Sequence, residues 1–177
     1  MLVHIRRAVV VSIVFFVVLG VAFPALLTGI GQVFFSHTAN GSLTANGSTI
    51  IGQTWTGPKW FQGRPDGDNP LATGSQNYGP KSKLLESFVA KEAATLRKEG
   101  ITPTNDLVTG SGSGVDPDIA PADAYAQASA VAKANHLPLA KVDALIKANI
   151  VSAYWGFLGA PYIDVLQLNE GLAQLTK

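Results

Sequence analysis

AVVVSIVFFVVLGVAFPALLTGIGQVFF, residues 8–35, runs without a single Asp, Glu, Lys or Arg, and nothing later in the chain is comparably apolar. As a helix rising about 1.5 Å per residue it reaches roughly 40 Å, more than the ~30 Å hydrocarbon core of a bilayer requires. A removable signal peptide is the competing reading, since Arg6 and Arg7 form a basic start and Gly20-Val21-Ala22 has the small residues of a cleavage site. Three features favour an uncleaved anchor: the apolar run continues through Ile30, Val33, Phe34 and Phe35, Pro24 would fall two residues after the cut, and the basic start is very short.

Lys and Arg beside a span are retained in the cytoplasm. Arg6 and Arg7, with His4, precede the span and the next cation is Lys59, so residues 1–7 are expected inside and everything after the anchor outside. Ala25 and Gly29 make a small-xxx-small pair, and Gly20, Pro24 and Thr28 repeat the four-residue spacing that lets a second helix approach. The same residues are also simply common in membrane helices, and both readings stand. Pro24 lacks a backbone donor and should kink the helix.

Residues 36–177 are enough for one domain. Of 13 Lys and Arg, removing Arg6 and Arg7 leaves 11 against 12 Asp and Glu, so this part is near neutral. Such a balance supplies neither the basic field that nucleic acid requires nor a polybasic patch for anionic lipid. Cysteine is absent, which excludes disulfides, thiolate catalysis and Cys-based metal sites. His4, His37 and His136 are isolated, no metal-ligand spacing or hydrolase motif is present, and no catalytic residue is assigned.

Asn40-Gly41 and Asn46-Gly47 suit tight turns, with short strands expected at 42–43 and 49–55. Both Asn-Gly-Ser triplets also match the glycosylation sequon, a short pattern read here as turns. Residues 59–80 mix aromatics, Gly and Pro and should be irregular; Asp66-Gly67-Asp68-Asn69 lacks the further acids of a calcium loop and reads as a solvated turn. Ser82 should cap a helix to about Glu99, with Leu84, Leu85, Phe88, Val89 and Leu96 on one side and Gly100 as its stop. Leu107-Val108-Thr109 reads as a short strand entering the loop with Gly110, Gly112 and Gly114, whose spacing is not that of a phosphate-binding loop. Asp116, Asp118 and Asp123 read as turn and cap residues rather than cation ligands. Pro121 opens an Ala-rich helix to about Asn135, a second helix covers 138–149, and a strand at 162–165 precedes a terminal helix at 166–175. Helices and strands without regular alternation give α+β: one N-terminal transmembrane helix and one mixed extracytoplasmic domain.

These residues resemble a known family, the C subunit of the Kdp high-affinity potassium-transporting ATPase, a bacterial P-type pump. The likeness is carried by Ala39-Asn-Gly-Ser-Leu43, Ile51-Gly-Gln53, Pro58-Lys-Trp-Phe61, Gly63-Arg-Pro65 and Gly74-Ser-Gln-Asn77 with Gly79-Pro80. It continues through Asp106-Leu-Val-Thr-Gly-Ser-Gly-Ser-Gly-Val-Asp-Pro117, Pro121, Gln127, Val131-Ala-Lys133, the stretch from Gly156 to Pro161, and Val165-Leu-Gln-Leu-Asn169. The chain departs from the family pattern at Asp118, where His is usual, at Ala120, where Ser is usual, at Ala130, where Arg is usual, and across 65–71.

The resemblance implies a non-catalytic subunit of the bacterial plasma membrane, in complex with a potassium-channel-like subunit, an ATP-hydrolysing subunit and a small single-span subunit. It further implies a stabilising role in assembly and a catalytic-chaperone role that raises the ATP affinity of the ATPase subunit, with Gln127 matching a glutamine proposed to touch nucleotide. Direct ATP binding by this chain is the first alternative, although the expected topology puts Gln127 outside and ATP inside, and an independent periplasmic protein is the second, for which no motif speaks. Trp55, Trp60, Phe61, Gly110, Gly112, Gly114 and Asp116 are the expected docking residues, and Gly20, Pro24, Ala25, Thr28 and Gly29 the expected packing face of the span.

Overall fold

The structure, a computed structural model, describes residues 1–66 and 73–176. Contacts divide the chain into two units, Met1–Leu43 and Thr44–Lys177.

The first unit is dominated by one apolar helix, Leu2–Phe34, made of α1 (Leu2–Val17), a π turn (Val18–Ala22) and α2 (Phe23–Phe34). Its mean hydropathy is 2.8 and none of its most apolar window is buried, so by length and composition it is able to cross a membrane. The disturbance expected at Pro24 takes the form of the π turn directly before it. Proline has no N–H for the carbonyl four residues back, and the ladder shifts so that Phe23 N–H reaches Val18 O instead. A short α3 (Ser36–Ala39) follows, tied back by the side-chain amides of Gln32 and Asn40, which exchange hydrogen bonds of 3.3 and 3.1 Å.

The second unit is mostly helical with a small sheet, the expected α+β class. Its elements are α4 (Lys83–Lys98), α5 (Asn105–Val108), β1 (Asp118–Ile119), α6 (Pro121–Ala134), α7 (Leu139–Ala148), β2 (Ile163–Asp164) and α8 (Val165–Leu175). The strands are antiparallel, pairing Asp118 with Asp164 and Ile119 with Ile163. Ile119 and Ile163 are buried among Ala124, Val131, Val142, Ile146, Leu168 and Leu172, which places the main core between α6, α7, α8 and the sheet. A second core of Ala93, Leu96, Ile101, Leu107 and Val108 joins α4 and α5, and Ala130 packs against it at the position where the family resemblance would place Arg.

Local chemistry explains the helix limits. Ser82 Oγ accepts the Leu84 N–H at 3.2 Å and caps α4, while Leu84 itself lies exposed rather than on the buried side. At the other end Gly100 takes φ +78°, Gly100 N–H donates to Arg97 O and Ile101 N–H to Leu96 O, a double closure in which Leu96 and Ile101 also share the second core. The end of α6 repeats this closure without glycine: His136 adopts φ +56°, His136 N–H reaches Lys133 O and Leu137 N–H reaches Ala132 O. At the start of α6 the Ala120 cap has no side-chain acceptor, and Asp123 supplies only the return bond, Ala120 N–H to Asp123 Oδ2 at 2.9 Å.

Three expected strands are corrected. Residues 107–109 are no strand: Leu107 and Val108 end the turn of α5, closed by Thr109 Oγ1 on Asn105 O at 2.7 Å, and both bury their side chains in one direction, as alternation in a strand would not allow. Residues 49–55 form no strand either, because Gly52 N–H donates to Val115 O at 2.7 Å, across a loop, instead of joining a ladder. Of 42–43, only Leu43 takes even a single bridge position.

His136 occupies the left-handed region where a side chain is costly, so His136→Gly is expected to stabilise the chain by roughly 0.5–1 kcal/mol. Thermal unfolding of the detergent-solubilised protein, followed by circular dichroism, checks this; an unchanged or lower midpoint contradicts it.

Candidate functional site

The second unit is built around an extended segment that no strand among the described residues accompanies. Phe61 is fully buried in the main core, and its neighbour Gln62 leads toward Arg64 and Asp66. Phe61 N–H donates to Asn169 Oδ1 and Asn169 Nδ2 donates to Phe61 O, both at 2.9 Å. One residue on, Gln62 N–H donates to Gln127 Oε1 at 2.8 Å and Gln127 Nε2 donates to Gln62 O at 3.0 Å. In extended chain, successive residues turn their N–H and C=O to opposite sides. Asn169 of α8 therefore serves one edge and Gln127 of α6 the other. Gln127 and Asn169 are themselves buried, and each amide is satisfied at both ends. The Gln62 side chain also reaches Glu99 Oε2 through its Nε2.

Asp66 fixes the glycine-rich loop. Its carboxylate accepts Ser111 N–H at 2.5 Å, Ser111 Oγ at 2.7 Å and Asp116 N–H at 2.9 Å, so it is an anchor and not the solvated turn expected; Gly67, Asp68 and Asn69 lie outside the described residues. Arg64 pairs with Asp106 at 3.2 Å and donates to Thr109 Oγ1 and Gly110 O. Gly114 has φ +74°, and a Cβ there would strike the backbone of Gly74, whose N–H donates to Ser113 O at 2.7 Å. Gly52 is equally confined, with Asp116 O 2.5 Å from where its Cβ would be. The glycines thus permit close backbone approach. Beside the loop opens a cleft of about 440 Å³ lined by Trp55, Arg64, Lys91, Glu92, Gly114 and Asp116, among others.

The expected docking residues separate accordingly. Trp55, Gly114 and Asp116 meet at the cleft, and Gly110 lies against Asp66 and Gln76. Gly112 is exposed with open space at its Cα, whereas Phe61 is core and Trp60 packs on that core, its ring 5.2 Å from Trp55. Gly20, Pro24, Ala25, Thr28 and Gly29 are all exposed on the apolar helix, and nothing lies within 4 Å of a Cβ built at Gly29. Among the described residues no cluster of three His, Cys, Asp or Glu is arranged to hold a metal.

Acidic groups crowd the sheet. Burial, then the charges of Asp116 and Asp164, push the Asp118 carboxyl up to about 6, and burial also raises Asp164 and Asp123. Sequence reasoning missed the roles of Asp66, Arg64, Gln62 and Asn169, and it missed the hairpin tip at 151–162. There Tyr154, Trp155, Phe157 and Leu158 are all exposed. The signal available was a run of large apolar residues around Trp155-Gly156 with no charge between Lys147 and Asp164.

The sequence matches known proteins along nearly the whole chain. A family model described as KdpC, K+-transporting ATPase, c chain, matches residues 5–174. The potassium-transporting ATPase KdpC subunit of Caulobacter vibrioides is 42% identical over 184 residues, covering 97% of this chain and 93% of the relative. The subunit of the same name from Acidobacterium capsulatum is 40% identical (97% and 98% covered), and that of Caldanaerobacter subterraneus subsp. tengcongensis 39% (98% and 96%).

Two outcomes are expected. Gln127→Leu leaves the N–H and C=O of Gln62 unpaired on one side and should cost about 1–3 kcal/mol for each group, read as a lowered melting midpoint; an unchanged midpoint contradicts the clamp. The raised Asp118 value means that the folded state holds the proton more tightly than the unfolded chain, so stability falls as pH rises from 3.8 to about 6. Asp118→Asn should therefore melt above the parent at pH higher than about 6, with the gap closing as pH falls toward 3.8; a gap independent of pH contradicts it.

Proposed function

The chain belongs to the KdpC family, that of the c chain of the K+-transporting ATPase, and from this membership we propose that it is a non-catalytic assembly subunit of such a pump. In this reading it is held in the plasma membrane by its apolar helix, next to a potassium-channel-like subunit, an ATP-hydrolysing subunit and a small single-span subunit. The observation that carries the proposal is the match along nearly the whole chain, apolar helix and domain together.

Arg6 and Arg7 lie at the first turns of the helix and no further cation appears before Lys59, which favours a cytoplasmic N-terminus and an extracytoplasmic domain. Residues 1–7 are then the cytoplasmic end, 8–35 the anchor and 36–177 the exported domain. The exposed face with Gly20, Pro24, Ala25, Thr28 and Gly29 suits close approach by a partner helix. The cleft at Trp55 and the loop carrying Gly112 and Asp116 offer a shaped rim for docking.

With this topology any effect on ATP affinity passes through the membrane helices, which is how a catalytic chaperone would act from outside. The competing reading, direct nucleotide contact by Gln127, has less support. That amide is buried and engaged at both ends by the backbone of Gln62, so a nucleotide would first have to displace the clamp.

The absence of cysteine makes the orientation testable. Ser129 is exposed on α6, and Ser129→Cys in intact cells should react with a membrane-impermeant thiol reagent without permeabilisation. Reaction only after permeabilisation, with the complex assembled, would reverse the orientation and restore direct nucleotide contact as the leading mechanism.

A further inference from the structure

The hairpin between α7 and β2 projects a hydrophobic tip that the domain does not use. Val151 and Tyr162 exchange backbone hydrogen bonds of 2.9 and 3.1 Å, and Tyr154 and Leu158 exchange two of 2.9 Å. Between them Trp155 at φ +51° and Gly156 at φ +80° make the two left-handed positions of a tight hairpin turn. A bulky residue is seldom found there, yet Trp155 is 84% exposed, with Phe157 at 76% and Tyr154 at 73%. The Trp155 and Phe157 rings lie 6.4 Å apart, and Leu158, next in the chain, is exposed as well. Backbone strain and exposed aromatic area both work against the isolated domain, and observed strain of this kind points to function.

We infer that this tip, centred on Trp155 and Phe157, is an anchor that inserts into an uncharged, apolar pocket on another protein subunit of the ATPase. The inference rests on the assembly reading above and adds to it the contact surface. Rigid aromatic residues near the centre of an interface carry most of its binding energy, and a hairpin closed by four backbone bonds has little freedom left to lose on docking. Charge selects a protein pocket over a lipid surface. No Lys, Arg or His occurs from 148 to 176, whereas Asp164 and Glu170 follow the hairpin. Loops and helices that bind bacterial anionic lipid add cations around their aromatic residues, and this one has none. The same absence of charge from 148 to 163 requires a pocket without buried charge of its own.

The test uses the full chain co-expressed with the other chains of its ATPase. A photo-crosslinking phenylalanine analogue at position 157 should couple to a second subunit, and one at exposed Tyr125 should do so far less. Trp155→Ser with Phe157→Ser, both exposed and outside the core, should reduce the complex recovered with the tagged chain roughly tenfold or more. The melting midpoint of the purified chain should stay unchanged. If the parent chain recovers no other subunit, the assembly reading itself fails. If the parent assembles and the double variant assembles equally well, or position 157 couples to lipid alone, the tip is not the anchor. Should the double variant fail to fold, the crosslink in the otherwise intact chain decides.

Discussion

The domain depends on a rule about backbone polarity: a buried N–H or C=O has to find a partner. The two strands among its described residues contain two residues each, too few to serve the extended segment that fills the core with Phe61. The partners come instead from Asn169 and Gln127, whose amides present one donor and one acceptor at the spacing of a peptide group. A segment with α6 on one side and α8 on the other is thereby fixed in register without a sheet. Neither amide is replaceable by a hydrophobic residue, which would fill the volume and orphan the peptide.

The same economy of structure recurs one turn of chain later. Asp66 gathers two backbone donors and a hydroxyl from the loop that starts at Ser111, Arg64 holds Asp106 and the Gly110 carbonyl, and Gly52 and Gly114 let backbones meet at distances no Cβ would tolerate. Ala130, at a position where Arg is usual in the family pattern, contributes packing to the α4 and α5 core instead of a charge. The described irregular segments are therefore held here through side-chain and close backbone contacts rather than ladders.

This explains what could be read from the sequence. The helices α4, α6 and α7 were legible from Ser82, Gly100, Pro121 and apolar spacing, because caps and periodicity are local. The long apolar helix was legible from hydropathy alone. The α5 turn was misread as strand because two adjacent apolar residues look the same in either state until their neighbours are known. The clamp left no local trace: Gln62 and Gln127 are 65 positions apart, Phe61 and Asn169 108. Asp66 looked solvated because its three donors come from 45 and 50 positions away. Family resemblance drew attention to Gln127 and Asn169, and only geometry gave their chemistry.

Inside and outside the domain the two kinds of surface follow opposite physics. The loop around Gly112 has its polar groups engaged within the fold, so what it can offer a partner is the shape of a rim beside the cleft. The hairpin tip has satisfied its backbone too, yet leaves four large apolar side chains in water. Burying them is worth about 1.5–3 kcal/mol per side chain before the costs of association are counted, whereas an already bonded loop gains little by exchanging one partner for another. On that difference the tip, and not the polar loop, holds the larger reserve of binding free energy, and a helix of this apolarity, were it to hold the domain beside a partner in the proposed assembly, would reduce the affinity the tip must supply.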